Sequence, residues 1–115
     1  MREKLPAVGG RTENMVSGKV KVTIAMGLHL RPAGILCKQA TQYQCRIELD
    51  TGRAVVNAKS VLSVLGACVR SGDEVRLICD GPDEQQAFDE LKDLVENKLE
   101  SKLGNTASKG DTLRV

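Results

Sequence analysis

Residues 19–40 read KVKVTIAMGLHLRPAGILCKQA, and the spacing of the apolar residues changes partway through. Val20, Val22 and Ile24 alternate with Lys21 and Thr23, the two-residue repeat of a strand with one buried face. From Pro32 the repeat becomes helical. Ala33, Leu36, Cys37 and Ala40 fall at i, i+3, i+4 and i+7, one face of a helix running to about Tyr43. Gly27 lies at the junction, where the chain must turn, and His29 follows it at the mouth of the helix.

The rest of the chain extends this opening βα unit. CRIELD (45–50) and RAVVNA (53–58) read as two short strands joined by Asp50-Thr51-Gly52, which has the chemistry of a hairpin turn. Ser60 stands in cap position before a brief helix, SVLSVLGA (60–67). Ser71-Gly72-Asp73 turns the chain into EVRLICD (74–80), where Val75, Leu77 and Cys79 alternate with Arg76 and Ile78. PDEQQAFDELKDLVENKLESKL (82–103) predicts a final helix with a stripe of Ala87, Phe88, Leu91, Leu94 and Val95, and Asp83 and Glu84 suit its positive end. The order β-α-β-β-α-β-α predicts an α+β open-faced sandwich, with a four-stranded, largely antiparallel sheet covered on one face by three helices. The domain is expected over 18–102, after a mobile leader (1–17) and before a polar tail (103–115).

Composition narrows the function classes. The chain has 115 residues, 41% of them hydrophobic and 28% charged, which suits a single soluble domain. One Tyr, one Phe and no Trp leave little with which to stack nucleic-acid bases. Seventeen basic and fifteen acidic residues are well mixed, with no basic run to grip nucleic acid or an anionic membrane. No stretch is long and apolar enough for a membrane span or a signal peptide, so the expected compartment is the cytoplasm. Cys37, Cys45, Cys68 and Cys79 are scattered without metal-ligand spacing; they read as buried free thiols, and neither a metal nor a cofactor is expected.

His29 is the only histidine. At or near the helix N-cap it would stand beside the amides of Leu30 and Arg31, which have no acceptor within the helix. An anion on the imidazole would meet those donors and the positive end of the helix dipole. Pro32 fits the first turn, where a missing N–H is harmless. Arg31 adds a permanent cation able to pair with phosphate oxygens. An imidazole with the ordinary pKa of about 6.5 is largely neutral in the cell and can attack phosphorus to form a labile N–P bond. The plainer reading is a helix cap or a solvated turn residue.

GLHLRPA (27–33) after the first strand, together with AKS (58–60) before a short helix, closely resembles the histidine-containing phosphocarrier proteins, the HPr family, of the bacterial phosphoenolpyruvate-dependent sugar phosphotransferase system. The resemblance covers about residues 18–102. It implies that His29 takes a phosphoryl group on Nδ1 from phosphorylated enzyme I and passes it to the EIIA domain of a sugar permease, with Arg31 stabilising the phosphate. It also implies two departures: Met26 stands where many members carry Asn, and Leu30 where small or hydroxyl residues are common.

Ser60 matches the serine that an ATP-dependent HPr kinase phosphorylates in some members, and it reads equally well as a simple N-cap. Ile35, Val61, Leu62 and Leu65 are more apolar than one buried helix face requires, and some of them are read as a docking patch beside His29. Burial in the core is the plainer reading for Val61 and Val64. Lys38 and Lys59 are candidates for steering acidic partners. A monomer is expected, with enzyme I, EIIA domains and HPr kinase/phosphorylase as partners. The alternative is a regulatory binding module, a nitrogen-branch or catabolite-control paralogue read through phosphorylated Ser60; the presence of His29 argues against that as its sole role. An ordinary enzyme ranks last, because paired carboxylates, a Cys/His dyad and a phosphate-binding loop are all missing.

Overall fold

The computed structural model describes residues 15–103. Its elements follow the expected order: β1 (Val16–Lys21), α1 (Leu30–Ala40), β2 (Arg46–Asp50), β3 (Val55–Asn57), α2 (Val61–Gly66), β4 (Glu74–Asp80) and α3 (Glu84–Asp93), which runs on through a π-helical segment, Leu94–Lys98. β1 begins at Val16, inside the stretch read as leader; the rest of that leader to residue 14, and the tail from residue 104, lie outside the described residues.

The four strands form one sheet in the order β1-β4-β2-β3, and every neighbouring pair is antiparallel. β4, interior together with β2, buries a full alternating face: Val75 lies opposite Val20 and Leu77 opposite Leu49, with Cys79 opposite Ile47, all six buried. β3 is only three residues long and closes one edge, with Val55 exposed; the longer strand expected over residues 53–58 is cut short by the turn that ties Thr51 N–H to the Ala54 carbonyl at 2.9 Å. The helices cover the buried face. α1 sets down Ala33, Leu36, Cys37 and Ala40, the four residues of its periodic stripe, while Ala87 and Leu91 of α3 fill the other side. Among the described residues no charged or polar side chain is buried.

The end of α3 departs from the expected regular helix. A 3.6-residue repeat continued from Leu91 and Leu94 would turn Lys98 toward the core. Instead the Leu99 N–H bonds to the Leu94 carbonyl, a π-type turn holding one surplus residue. Leu99 is thereby buried, while Lys98 stays outside and pairs with Asp93 at 3.0 Å. The same segment closes part of the β1 edge. Glu96 accepts the Lys21 N–H at 3.0 Å, and its carbonyl accepts the Thr23 hydroxyl at 3.1 Å. The Lys21 amide, the largest influence, holds the Glu96 carboxyl below its usual pKa.

Candidate functional site

Beyond β1 the chain stays extended for a few residues. Val22 donates to Asp73 O at 2.9 Å and accepts from Gly72 N–H at 2.7 Å, so the connection leaving β1 is bound to the one entering β4. A turn follows, closed by Gly27 N–H to the Ile24 carbonyl at 3.1 Å. Met26 and Gly27 both have φ +69°, in the left-handed region. At Gly27 a side chain is excluded twice over. A Cβ would lie 2.3 Å from the Val69 carbonyl oxygen and 2.6 Å from Arg70 Cα, both backbone atoms. Leu28, buried, then donates its N–H to that same Val69 carbonyl at 3.0 Å. The approach to His29 is therefore clamped against the segment that follows α2.

His29 is the N-cap of α1, with extended backbone (φ −83°, ψ −167°). Its carbonyl accepts Ala33 N–H at 2.9 Å, while its side chain makes no capping hydrogen bond. The imidazole is half-buried and has no hydrogen-bond partner among the described residues, unlike the side chain of an ordinary cap. The amides of Leu30 and Arg31 have no acceptor among the described residues, and Pro32 has no N–H to offer. No carboxylate stands in the first turn of α1 to occupy the positive end of the helix dipole. Arg31 is exposed, and its guanidinium is engaged by no partner among the described residues. One helix end thus carries a half-buried imidazole, two amides without an acceptor among the described residues and an exposed cation, an arrangement suited to a phosphoryl group.

Ser60 caps α2, accepting Ser63 N–H on its hydroxyl at 3.2 Å. Of the expected docking residues, Leu62 is 81% exposed, whereas Ile35, Val61 and Leu65 are half-buried against the core; Val64 is fully buried. Two exposed apolar residues outside that expected patch stand closer to the histidine in sequence, Met26 at 80% and Leu30 at 64%. Their signal in the sequence was an apolar residue on either side of a turn and a helix cap.

Of the two lysines read as candidates for steering partners, Lys59 donates its ammonium to the Tyr43 carbonyl at 2.8 Å, just past the end of α1, and keeps its charge. Lys38 is exposed but sits in the last turn of α1, about 13 Å along the axis from His29. Of the four cysteines, Cys37, Cys45 and Cys79 are buried, but Cys68 is exposed, because it follows the α2 C-cap in a left-handed conformation (φ +54°) that turns it out of the core. Burial raises all three buried thiols, Cys45 up to about 11 and Cys79 up to about 12. Among the described residues no cluster of His, Cys, Asp and Glu could hold a metal, and no helix is long and apolar enough to cross a membrane.

Fold and site together define a small α+β domain that presents a single histidine at a helix N-terminus. Residues 16–97 match the family described as the phosphotransferase-system HPr component phosphorylation site. The chain belongs to the HPr family of phosphocarrier proteins. It is 35% identical over 85 residues to the HPr-like protein Crh of Bacillus subtilis, covering 74% of this chain and all of that one. It is 35% identical over 86 residues to the phosphocarrier protein HPr of Treponema pallidum, covering 75% of this chain and 98% of the relative. Among solved structures, HPr from Thermoanaerobacter tengcongensis superposes with a TM-score of 0.71 at 30% identity, over 74% of this chain and 96% of that one. A crystal structure of Crh matches with a TM-score of 0.60 at 35% identity over 72% and 95%, and is described as a dimer with a swapped domain.

Proposed function

We propose that this protein accepts a phosphoryl group on His29 from phosphorylated enzyme I and passes it to EIIA domains of sugar permeases, working in the cytoplasm. The imidazole supplies the lone pair that forms the new N–P bond. The bond to the donor's atom breaks, and its electron pair stays with the donor. The N–H groups of Leu30 and Arg31 and the Arg31 guanidinium stabilise the charge on the transferring group. One chain carries every one of these groups, so a monomer suffices.

The observation carrying this reading is the uncommitted His29 side chain at the N-cap of α1, beside two unpaired amides. The test is incubation with labelled phosphoenolpyruvate and enzyme I. An acid-labile, base-stable phosphate is expected, and it disappears in His29→Ala; labelling that persists in that variant refutes the assignment.

A second role at Ser60 is favoured by its hydroxyl at the N-cap of α2, the helix carrying exposed Leu62. A phosphate there would add a charge of roughly −1.5 to −2 beside an apolar contact and weaken docking. HPr kinase/phosphorylase is the partner this role requires. The resemblance to Crh makes a regulatory binding module the alternative reading. An acid-stable adduct that needs ATP and kinase, and is lost in Ser60→Ala, is the expected result.

A further inference from the structure

Met26 carries two penalties that the fold does not offset. It is the third residue of the turn closed by Gly27 N–H and the Ile24 carbonyl, with φ +69°, a conformation that favours Gly or Asn and disfavours a bulky side chain. Its side chain is also 80% exposed, so the strain gains no packing in return. Leu30 and Leu62 are exposed as well, but both sit on helices where their backbone is at ease. These three are the most exposed large hydrophobics among the described residues, ahead of Val55 and Met15. Met26 and Leu30 flank His29 in the chain, and Leu62 lies on the first turn of α2, which packs on α1.

We propose that Met26 is a partner-selecting residue, an apolar contact buried by the phosphoryl-donor protein when it docks on His29. This rests on the carrier reading above. A donor must bring its phosphorylated atom within bonding distance of the imidazole, and Met26 is at most about 11 Å of chain from His29. A donor docked on the imidazole therefore has exposed Met26 within reach of its own surface. The occupant is a protein whose surface opposite Met26 is apolar; a polar surface there would be desolvated without a partner. Strained, solvent-exposed residues cluster where function maintains them, and here the contact forms only in the complex.

The experiment uses the full chain, phosphoenolpyruvate and enzyme I, and follows phosphorylation of His29 as the chain concentration is varied. Met26→Asn and Met26→Gly both suit the left-handed backbone, so each keeps a thermal midpoint at or above the parent's. Both are expected to raise KM for the chain about tenfold with kcat unchanged. Met26→Leu, which keeps the apolar contact, stays within about twofold. The proposal is overturned if Met26→Asn and Met26→Gly match the parent KM, or if kcat falls while KM holds. Should the parent chain take no phosphoryl group on His29, the carrier reading falls and this inference with it. Normal labelling with indifferent variants removes this inference alone.

Discussion

Replacing Gly27 by alanine tests whether the approach to His29 is held as tightly as the geometry indicates. The new Cβ would sit 2.3 Å from the Val69 oxygen and 2.9 Å from the Arg70 carbonyl carbon, far inside contact distance. These are backbone atoms, so no side chain can swing away. Left-handed backbone adds about 1–2 kcal/mol for a residue with a Cβ, and forcing a methyl into packed surroundings about 1–3 kcal/mol. Reduced freedom of the unfolded chain returns about 0.4–1 kcal/mol. The net loss is about 1–5 kcal/mol, and it falls on the connection that leads to the histidine. Gly52→Ala is the internal control. Gly52 has φ +90°, yet nothing lies within 4 Å of its would-be Cβ, so only the strain remains. That difference leaves about 1 kcal/mol or less for the control. Urea unfolding of the two variants at one pH, extrapolated linearly, gives both values. If Gly27→Ala falls within about 0.5 kcal/mol of Gly52→Ala, the close approach inferred at Val69 is wrong.

Three further outcomes follow from the same structure. Ser60→Ala loses the hydroxyl that accepts Ser63 N–H and should cost about 1 kcal/mol, whereas Ser60→Asp keeps a capping oxygen and should unfold near the parent's urea midpoint; equal stability of the alanine variant would exclude the cap. The Asp83 carboxylate accepts the Gln44 and Cys45 amides at 2.8 and 2.9 Å, which hold its pKa below the usual range. A carboxyl lowered in the folded state contributes above its unfolded pKa, near 3.9, and that contribution drains away as pH falls through the folded value. Asp83→Asn should therefore flatten the acid side of the stability curve, read from urea midpoints between about pH 6 and pH 3; an unchanged slope would count against the link. A thiol reagent at about pH 8 should titrate one group in the native protein, Cys68, and the remaining three only in denaturant; native reactivity surviving Cys68→Ser would contradict the burial of the others.

Much of this was legible from local pattern. The alternation at Val75, Leu77 and Cys79 and the stripe Ala33, Leu36, Cys37 and Ala40 each name a buried face, because burial follows the period of the element. The N-cap position of His29 was also readable, since glycine, histidine and proline act within a few residues of one another. What escaped depends on distant partners. β1 pairs with β4, Val16 facing Cys79, and no local signal announces that neighbour. The Lys59 ammonium found the Tyr43 carbonyl only once α1 and the segment before α2 lay side by side. Cys68 looked like core because its neighbours are apolar, but the left-handed residue after α2 reverses the direction of its side chain. Of the expected docking residues only Leu62 proved fully exposed, because α2 rests on α1 and half-buries Val61 and Leu65.

The wide turn near the end of α3 has a consequence for how this chain can change in length. A π-type turn holds one residue more than the regular spiral, and everything after it keeps the phase it would have had without the extra unit. Dropping solvent-facing Asn97 would let the coil tighten to ordinary pitch with Leu99 still pointing inward. Losing Glu96 would instead uncover the Lys21 amide at the sheet's rim. Loss of one residue from this turn is thus tolerable on its outer side and harmful where it guards the first strand.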